Sequence, residues 1–102
     1  SRLKLLLFLL ADLQSVRQAC QHMGLSYQKA WDMLNQLEQE LGYAVVERQH
    51  GGKSGGNTRL TEKGCRLMYA FQQYEDEVCS FARQRFDVLF RGTGLIETVQ
   101  TI

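Results

Sequence analysis

The chain has 102 residues, of which 44% are hydrophobic and 23% are charged. This size fits one domain with a modest core, and the composition excludes disorder and fibrous repeats. The formal net charge is only +1, but Lys and Arg outnumber the acids within residues 1–30 and again within residues 43–66. We expect a basic face if the fold brings these two segments together, as in proteins that bind nucleic acids.

The first predicted element is a helix from about Arg2 to Leu10, apolar on most sides and therefore central in the core. Lys4 and Asp12 interrupt the surrounding leucine-rich run, which falls far short of the roughly 20 apolar residues that a membrane span needs. A signal peptide is the alternative, but the run is short and no small-x-small cleavage site follows Ala11. We expect a cytoplasmic protein that does not enter a membrane.

Capping residues and glycines delimit two further helices. Ser15 begins an S-x-x-Q capping box, and the helix that follows it is expected to end at Gly24, where a left-handed backbone costs little. After a short turn, Ser26 is expected to cap a third helix that runs to about Leu41 and ends at Gly42. The close succession of these two helices predicts a helix-turn-helix.

The third predicted helix has faces of different character. Its predicted buried stripe consists of Ala30, Leu34, Leu37 and Leu41. Its predicted outward face carries Gln28, Lys29, Asp32, Asn35, Gln36 and Gln39. Tyr27 and Trp31, four residues apart, are expected to lie side by side on the flank between these faces, with Trp31 closing the core.

A hairpin and a long helix complete the chain. Short strands are predicted at Ala44–Arg48 and Thr58–Leu60, joined by the glycine-rich stretch GGKSGG. Thr61 is expected to cap a helix of about 30 residues that no breaker interrupts before Gly92. The three shorter helices are too short to cover its apolar stripe, so we expect a second copy of the chain to do so. The predicted dimer interface consists of Leu67, Phe71, Tyr74, Val78 and Phe81.

The sequence offers no residues for catalysis, metal binding or a cofactor. GGKSGG resembles the end of a nucleotide-binding loop, but that motif requires glycine where this chain has Glu47. No nucleophile elbow and no H-E-x-x-H motif is present. Cys20, Cys65 and Cys79 fit neither a disulfide framework nor a zinc site, and each is expected to be a small buried hydrophobic residue. We therefore expect neither an enzyme nor a bound cofactor.

The predicted order of elements is that of a winged helix-turn-helix, a mainly α fold with a small β-hairpin. In this motif the third helix enters the major groove of double-stranded DNA, with its first turn against base edges and phosphates. Gln28 is then suited to adenine, and Lys29 to guanine or a phosphate. Asp32 is unfavourable beside phosphates unless it binds a cytosine amino group or pairs with Lys29. The predicted DNA-binding residues are Arg17, Ser26, Tyr27, Gln28, Lys29, Arg48, Lys53, Ser54 and Arg59.

Several motifs in this order resemble those of the molybdate-responsive ModE regulators and, more distantly, of LysR-type regulators. SYQKAWD is similar to the recognition helix of the ModE family, and VER, GGKSGG and LTEKG are similar to its wing and the start of its dimerisation helix. The resemblance implies a homodimer that binds a palindromic operator through a recognition helix at 26–41 and a wing at 49–58. It also implies a DNA-binding domain at 1–60, a dimerisation helix at 61–91 and a tail at 92–102.

Two departures limit what the resemblance implies. Gln28 occupies a position that is commonly basic in the family, so the preferred operator is expected to differ. Only residues 91–102 follow the long helix, so the separate sensor domain of the ModE family has no counterpart and molybdate sensing is not expected. The chain is either a single-domain member or a fragment of a longer regulator, and its small-molecule effector is unknown. A winged-helix module that binds protein and not DNA remains the alternative.

Overall fold

The computed structural model describes residues 2–49 and 57–97. Its helices are α1 (Arg2–Leu13), α2 (Val16–Met23), α3 (Tyr27–Leu41) and α4 (Glu62–Phe86), and a π-helical segment, Asp87–Arg91, continues α4. Strands β1 (Val46–Gln49) and β2 (Asn57–Leu60) form one antiparallel hairpin. The predicted mainly α fold with a small hairpin and a long last helix is confirmed. GGKSGG, with Lys53 and Ser54, lies outside the described residues.

The serine caps and glycine stops of α2 and α3 lie where the sequence predicts them. The Ser15 hydroxyl accepts a hydrogen bond from the Gln18 amide at 3.1 Å, and the Ser26 hydroxyl accepts one from the Lys29 amide at 3.1 Å. Gly24, with φ of 63°, ends α2 in the left-handed conformation that favours glycine. These local interactions set the length and the start of both helices.

The turn between α2 and α3 is fixed by the carbonyl group of Cys20. This oxygen accepts the Leu25 amide at 3.0 Å and also the Gly24 amide. The Cys20 thiol lies 3.7 Å from the Ser26 carbonyl oxygen, to which it donates. Burial raises the pKa of the Cys20 thiol, because the thiolate is disfavoured away from water. The turn therefore holds the first residues of α3 in one orientation.

The hydrophobic core lies between the first three helices, the hairpin and the start of α4. Its fully buried side chains include Leu6, Leu7, Leu10, Leu34 and Val45. The interior position of α1 follows from its leucine-rich sequence, as predicted. Met68 is the buried side chain that α4 contributes. The core thus joins α1, α2, α3, the start of the hairpin and the first turns of α4.

The hairpin is tied to both neighbouring helices around Val45. A carboxylate oxygen of Glu38 accepts the Val45 amide at 2.7 Å and the Val46 amide at 3.1 Å. The Val45 carbonyl oxygen accepts the Thr61 amide at 2.8 Å. Thr61 also accepts the Gly64 amide on its hydroxyl at 2.9 Å, which confirms the predicted cap of the last helix. One backbone unit of Val45 therefore connects α3, β1 and the start of α4.

Four boundaries differ from the predictions. Helix α1 continues to Leu13, and Gln14 closes it with a left-handed φ of 54° and an amide hydrogen bond to the Leu10 carbonyl of 2.9 Å. Strand β1 begins at Val46 and not at Ala44, since the backbone before it bonds to the Glu38 side chain. At the other end, β1 reaches Gln49 and β2 begins at Asn57, one residue farther toward the hairpin tip than predicted.

Two predictions of burial are wrong. Leu41 is exposed, because it is the last residue of α3 and extends beyond the elements that cover Ala30 and Leu34. Cys79 is exposed on α4 and Cys65 is only half-buried, so of the three cysteines only Cys20 is a buried one. The other predicted members of the stripe, Ala30, Leu34 and Leu37, are buried or half-buried.

Contacts divide the chain into two compact units, with the boundary between Phe71 and Gln72. The first unit contains the core described above. The second contains the remainder of α4 and the π-helical segment, where the Phe86 and Phe90 rings stack at a centroid distance of 4.6 Å. Large apolar side chains of this unit are exposed: Tyr74, Val78, Phe81, Val88, Leu89, Phe90 and Leu95. Within the described ranges, no helix is long and apolar enough to cross a membrane.

Candidate nucleic-acid interface

Two arginines and two aromatic rings form a continuous row across α2, α3 and β1. The Arg17 guanidinium carbon lies 5.6 Å from the centre of the Tyr27 ring. The Tyr27 and Trp31 rings meet edge to face at 6.3 Å. The Arg48 guanidinium carbon lies 3.9 Å from the centre of the Trp31 ring. This aromatic-arginine row confirms the predicted contact of Tyr27 with Trp31 and places two predicted DNA-binding arginines at its ends.

The first turn of α3 presents polar groups to solvent. Ser26 uses its hydroxyl oxygen for the helix cap, while the side chains of Gln28 and Lys29 are exposed. The helix N-terminus carries a partial positive charge and backbone N–H groups without partners inside the helix, so an anion such as a phosphate is favoured beside it. This turn therefore combines groups that can meet base edges with groups that can meet phosphates.

Asp32 has a different partner from the one that the sequence suggests. The Gln28 side-chain amide donates to an Asp32 carboxylate oxygen at 2.9 Å, one helical turn away. Asp32 thus pairs with Gln28 and not with Lys29, which was one of the two partners considered for it. The Gln28 amide keeps its carbonyl oxygen and its second N–H group, the two groups that bidentate contact with adenine requires.

The two predicted arginines of the hairpin lie on opposite faces of it. In the register of the strands, Arg48 lies opposite Thr58, and Arg59 lies opposite Glu47. Directly opposed residues share a face, and successive residues alternate between faces. Arg48 therefore faces Trp31, whereas Arg59 shares the other face with Glu47. The structure brings Arg17, Tyr27, Gln28, Lys29 and Arg48 together around α3 and places Arg59 apart from them.

The predicted dimer residues fall into two groups. Leu67 and Phe71 are half-buried and pack against the core of their own chain. Tyr74, Val78 and Phe81 are 67%, 49% and 65% exposed. Three of the five predicted interface residues are therefore exposed along one stretch of α4, while the other two belong to the first unit and pack partly against its core.

The sequence interpretation missed the contact of Arg48 with Trp31 and that of Gln28 with Asp32. The contact of Gln28 with Asp32 has a detectable signal, since residues four apart on a helix are neighbours. The contact of Arg48 with Trp31 has no such signal, because the two residues belong to different elements whose packing no periodicity reveals. Across residues 2–49 and 57–97, no group of three or more His, Cys, Asp or Glu side chains is placed to hold a metal ion.

Comparison with known sequences matches this arrangement to a family. The sequence profile described as "Bacterial regulatory helix-turn-helix protein, lysR family" matches residues 3–65, which include α1, α2, α3 and the hairpin. The chain belongs to the lysR family of regulatory helix-turn-helix proteins. The match identifies residues 3–65 as a helix-turn-helix DNA-binding domain, and the family is one of transcription regulators and not of enzymes.

The lysR-family domain is also related to ModE regulators, as the sequence motifs predict. It is 39% identical over 75 residues to the DNA-binding transcriptional dual regulator ModE of Escherichia coli (strain K12), covering 74% of this chain and 27% of that protein. It is 33% identical over 80 residues to the molybdenum transport protein ModE of Azotobacter vinelandii, covering 78% of this chain and 30% of that protein.

A third relative has a different name. The chain is 39% identical over 57 residues to the molybdenum-pterin-binding protein MopA of Rhodobacter capsulatus, covering 56% of this chain and 22% of that protein. The chain thus spans between 22% and 30% of the length of these three relatives.

Proposed function

We propose that this lysR-family domain acts as a homodimer that binds a palindromic operator, with one recognition helix per half-site. The observation that supports it is the exposed first turn of α3, where Gln28 and Lys29 face solvent and Tyr27 contacts Arg17. Base edges in the major groove are read by such a turn, and phosphates on either side are met by cations. The protein binds DNA and carries out no chemistry on it.

The two kinds of contact have separate roles in this proposal. Lys29, Arg17 and Arg48 meet phosphates and supply affinity that depends on salt and not on sequence. Gln28, oriented by Asp32, reads one base by donating and accepting hydrogen bonds. Lys53 and Ser54 of the wing, and Arg59 on the other face of the hairpin, are proposed to meet flanking phosphates.

The dimer is proposed to form through the exposed apolar side chains of α4. Tyr74, Val78 and Phe81 follow one another at intervals of four and three residues, the spacing of a helix seam that packs against another helix. A second copy would bury these three side chains and relate two recognition helices by a two-fold axis. A two-fold axis in the protein corresponds to a palindrome in the operator.

A mobility-shift titration with mixed-sequence duplex DNA at low salt tests the proposal. The expected result is a complex whose affinity falls as salt rises, since phosphate contacts release counterions. The second candidate is a winged-helix module for protein partners, which the near-neutral net charge of +1 favours. Absence of any complex at low salt would support that candidate. In vitro selection of DNA sites would then give the operator and its half-site symmetry.

Lys53 is predicted to contribute one phosphate contact. Replacing Lys53 with alanine should weaken binding to all duplexes about equally and reduce the slope of log affinity against log salt by about 1. Glu62→Ala, which changes an exposed charge of the opposite sign, serves as the control for a change in net charge. An unchanged salt slope in Lys53→Ala would remove Lys53 from the interface.

Gln28 is predicted to read one base pair. Replacing Gln28 with alanine should relax the preference at one operator position by about 1–3 kcal/mol and leave the other positions unchanged. Gln39→Ala is the matched control, because Gln39 is exposed on the same helix but lies near its opposite end. Affinities for a set of single-base operator variants measure the effect. Equal weakening on every duplex would assign Gln28 to a phosphate.

Phe81 is predicted to lie in the dimer interface. Replacing Phe81 with glutamate should weaken dimerisation by about 10- to 100-fold, because each copy would lose a buried aromatic ring and place a charge against its partner. Sedimentation at low micromolar concentration should show a dimer for the unmodified chain and a monomer for Phe81→Glu. Gln84→Glu adds the same charge at another exposed position of α4 and should remain dimeric.

The proposal concerns DNA binding alone. The names of some relatives refer to molybdenum or molybdenum-pterin, but the matched segment is 27% of the Escherichia coli relative and 22% of MopA. Their small-molecule properties are therefore not assigned to the chain.

A further inference from the structure

The aromatic-arginine row restricts two cations that would otherwise move freely. Arg17 and Arg48 are both exposed, and each lies over an aromatic ring that belongs to α3. An exposed arginine normally samples many rotamers, and fixing it on a ligand costs free energy. A ring beneath the guanidinium group attracts it and limits those rotamers before any ligand arrives.

The ring contacts leave both arginines able to bind an oxyanion. A guanidinium group places its five N–H donors in its own plane, whereas a ring contacts its flat face. The distance of 3.9 Å between the Arg48 guanidinium carbon and the centre of the Trp31 ring fits contact through the flat face, which leaves the edge of the guanidinium group available. The planar edge matches the two oxygens of a phosphate. Stacking and phosphate binding can consequently occur at the same time.

We propose that Tyr27 and Trp31 are positioning residues for DNA binding, which hold Arg17 and Arg48 for phosphates along one flank of the recognition helix. This inference rests on the proposed function. Tyr27 is 51% exposed, so burial in the core does not account for its role. Trp31 is 8% exposed and also packs in the core, and its ring contacts Arg48.

A double-mutant cycle on the Tyr27–Arg17 pair tests the proposal. Both side chains are exposed, so the substitutions should leave the fold intact. Tyr27→Leu should weaken binding to mixed-sequence DNA by about three- to tenfold, because Arg17 loses its preorganisation. The salt slope should remain unchanged in Tyr27→Leu but fall by about 1 in Arg17→Met. In the double variant, the effect of Tyr27→Leu should shrink at least threefold, since no cation remains to be positioned.

The Tyr43–Lys63 pair offers a matched control away from the start of α3. The Lys63 ammonium lies 4.8 Å from the centre of the Tyr43 ring, and Tyr43 follows the C-terminal end of α3. Tyr43→Leu and Lys63→Met should act on DNA affinity independently of each other. A coupling there as large as that of Tyr27 with Arg17 would show that the cycle reports general disturbance, and it would overturn the inference.

Trp31 provides a spectroscopic test, because it is the only tryptophan of the chain. Arg48→Met should change the fluorescence emission of Trp31 in the free protein, and it should reduce the change in emission that DNA causes. Trp31→Phe, which retains a ring under Arg48, should keep more affinity than Trp31→Leu. Circular dichroism of each variant confirms that the fold is kept before the affinities are compared.

The outcomes separate this inference from the function on which it rests. If the unmodified chain forms no salt-sensitive complex with DNA, both the proposed function and the positioning role are overturned. If it binds DNA but Tyr27→Leu and Arg17→Met act independently, only the positioning role is overturned. Coupling of Tyr27 with Arg17, together with an unchanged salt slope in Tyr27→Leu, supports the inference.

Discussion

Replacing Gly64 with alanine is expected to lower the free energy of unfolding by about 2–3 kcal/mol, although glycine to alanine normally stabilises a helix by about 1 kcal/mol. Gly64 is buried near the start of α4, and a Cβ atom there would collide with the Val45 carbonyl oxygen. That oxygen is backbone and accepts the Thr61 amide, so it cannot move without loss of the hydrogen bond. The steric cost therefore exceeds the gain in helix propensity.

Urea denaturation of Gly64→Ala at one fixed protein concentration measures this effect, since the stability of a dimer depends on concentration. Arg66→Ala, at an exposed position two residues along the same helix, should change the free energy of unfolding by less than about 0.5 kcal/mol. A Gly64→Ala variant as stable as the unmodified chain would show that α4 can shift away from Val45, which would contradict the close approach.

The helices could be predicted because short segments contain the information that starts and ends them. Ser15, Gly24, Ser26 and Gly42 act on backbone groups within a few residues, so their roles follow from local chemistry. The Thr61 cap was predictable for the same reason. These residues define the helix-turn-helix and the start of the long helix without knowledge of the tertiary structure.

Tertiary contacts account for most of what the sequence did not reveal. The start of β1 depends on Glu38, which the pattern of α3 indicates only as one of several acids. The position of Arg48 over Trp31 depends on how the hairpin packs against α3, and its separation from Arg59 depends on strand register. Neither follows from a periodicity, because the residues involved are distant in sequence and their contact is set by packing.

The site shows the same division between local and tertiary information. The polar first turn of α3 could be identified from residue types alone, since major-groove readers place hydrogen-bonding side chains there. The support of that turn by Arg17, Tyr27, Trp31 and Arg48 is visible only in the fold. The sequence therefore predicts which side chains face DNA better than it predicts what holds them in place.

Replacing Glu38 with alanine is expected to lower the free energy of unfolding by about 2–4 kcal/mol, because two charge-assisted hydrogen bonds would be lost. Glu38 is half-buried and accepts the amides of Val45 and Val46 at 2.7 and 3.1 Å. Both valines are buried, so without the Glu38 carboxylate their amides would have no hydrogen-bond partner unless water entered the protein. Glu38→Gln, which keeps an uncharged acceptor, should lower the free energy of unfolding by about half as much as Glu38→Ala.

Glu40→Ala is the matched control, because Glu40 is exposed on the same helix and accepts only a long side-chain contact from Gln36 at 3.4 Å. Urea denaturation should place Glu40→Ala within about 0.5 kcal/mol of the unmodified chain. Equal stability of the two alanine variants would contradict a structural role for the carboxylate. Glu38 anchors the strand that carries Arg48, and Arg48 contacts Trp31. The fluorescence emission of Trp31 should therefore change in Glu38→Ala and stay unchanged in Glu40→Ala. Such a result would link the stability of the hairpin to the DNA-facing surface.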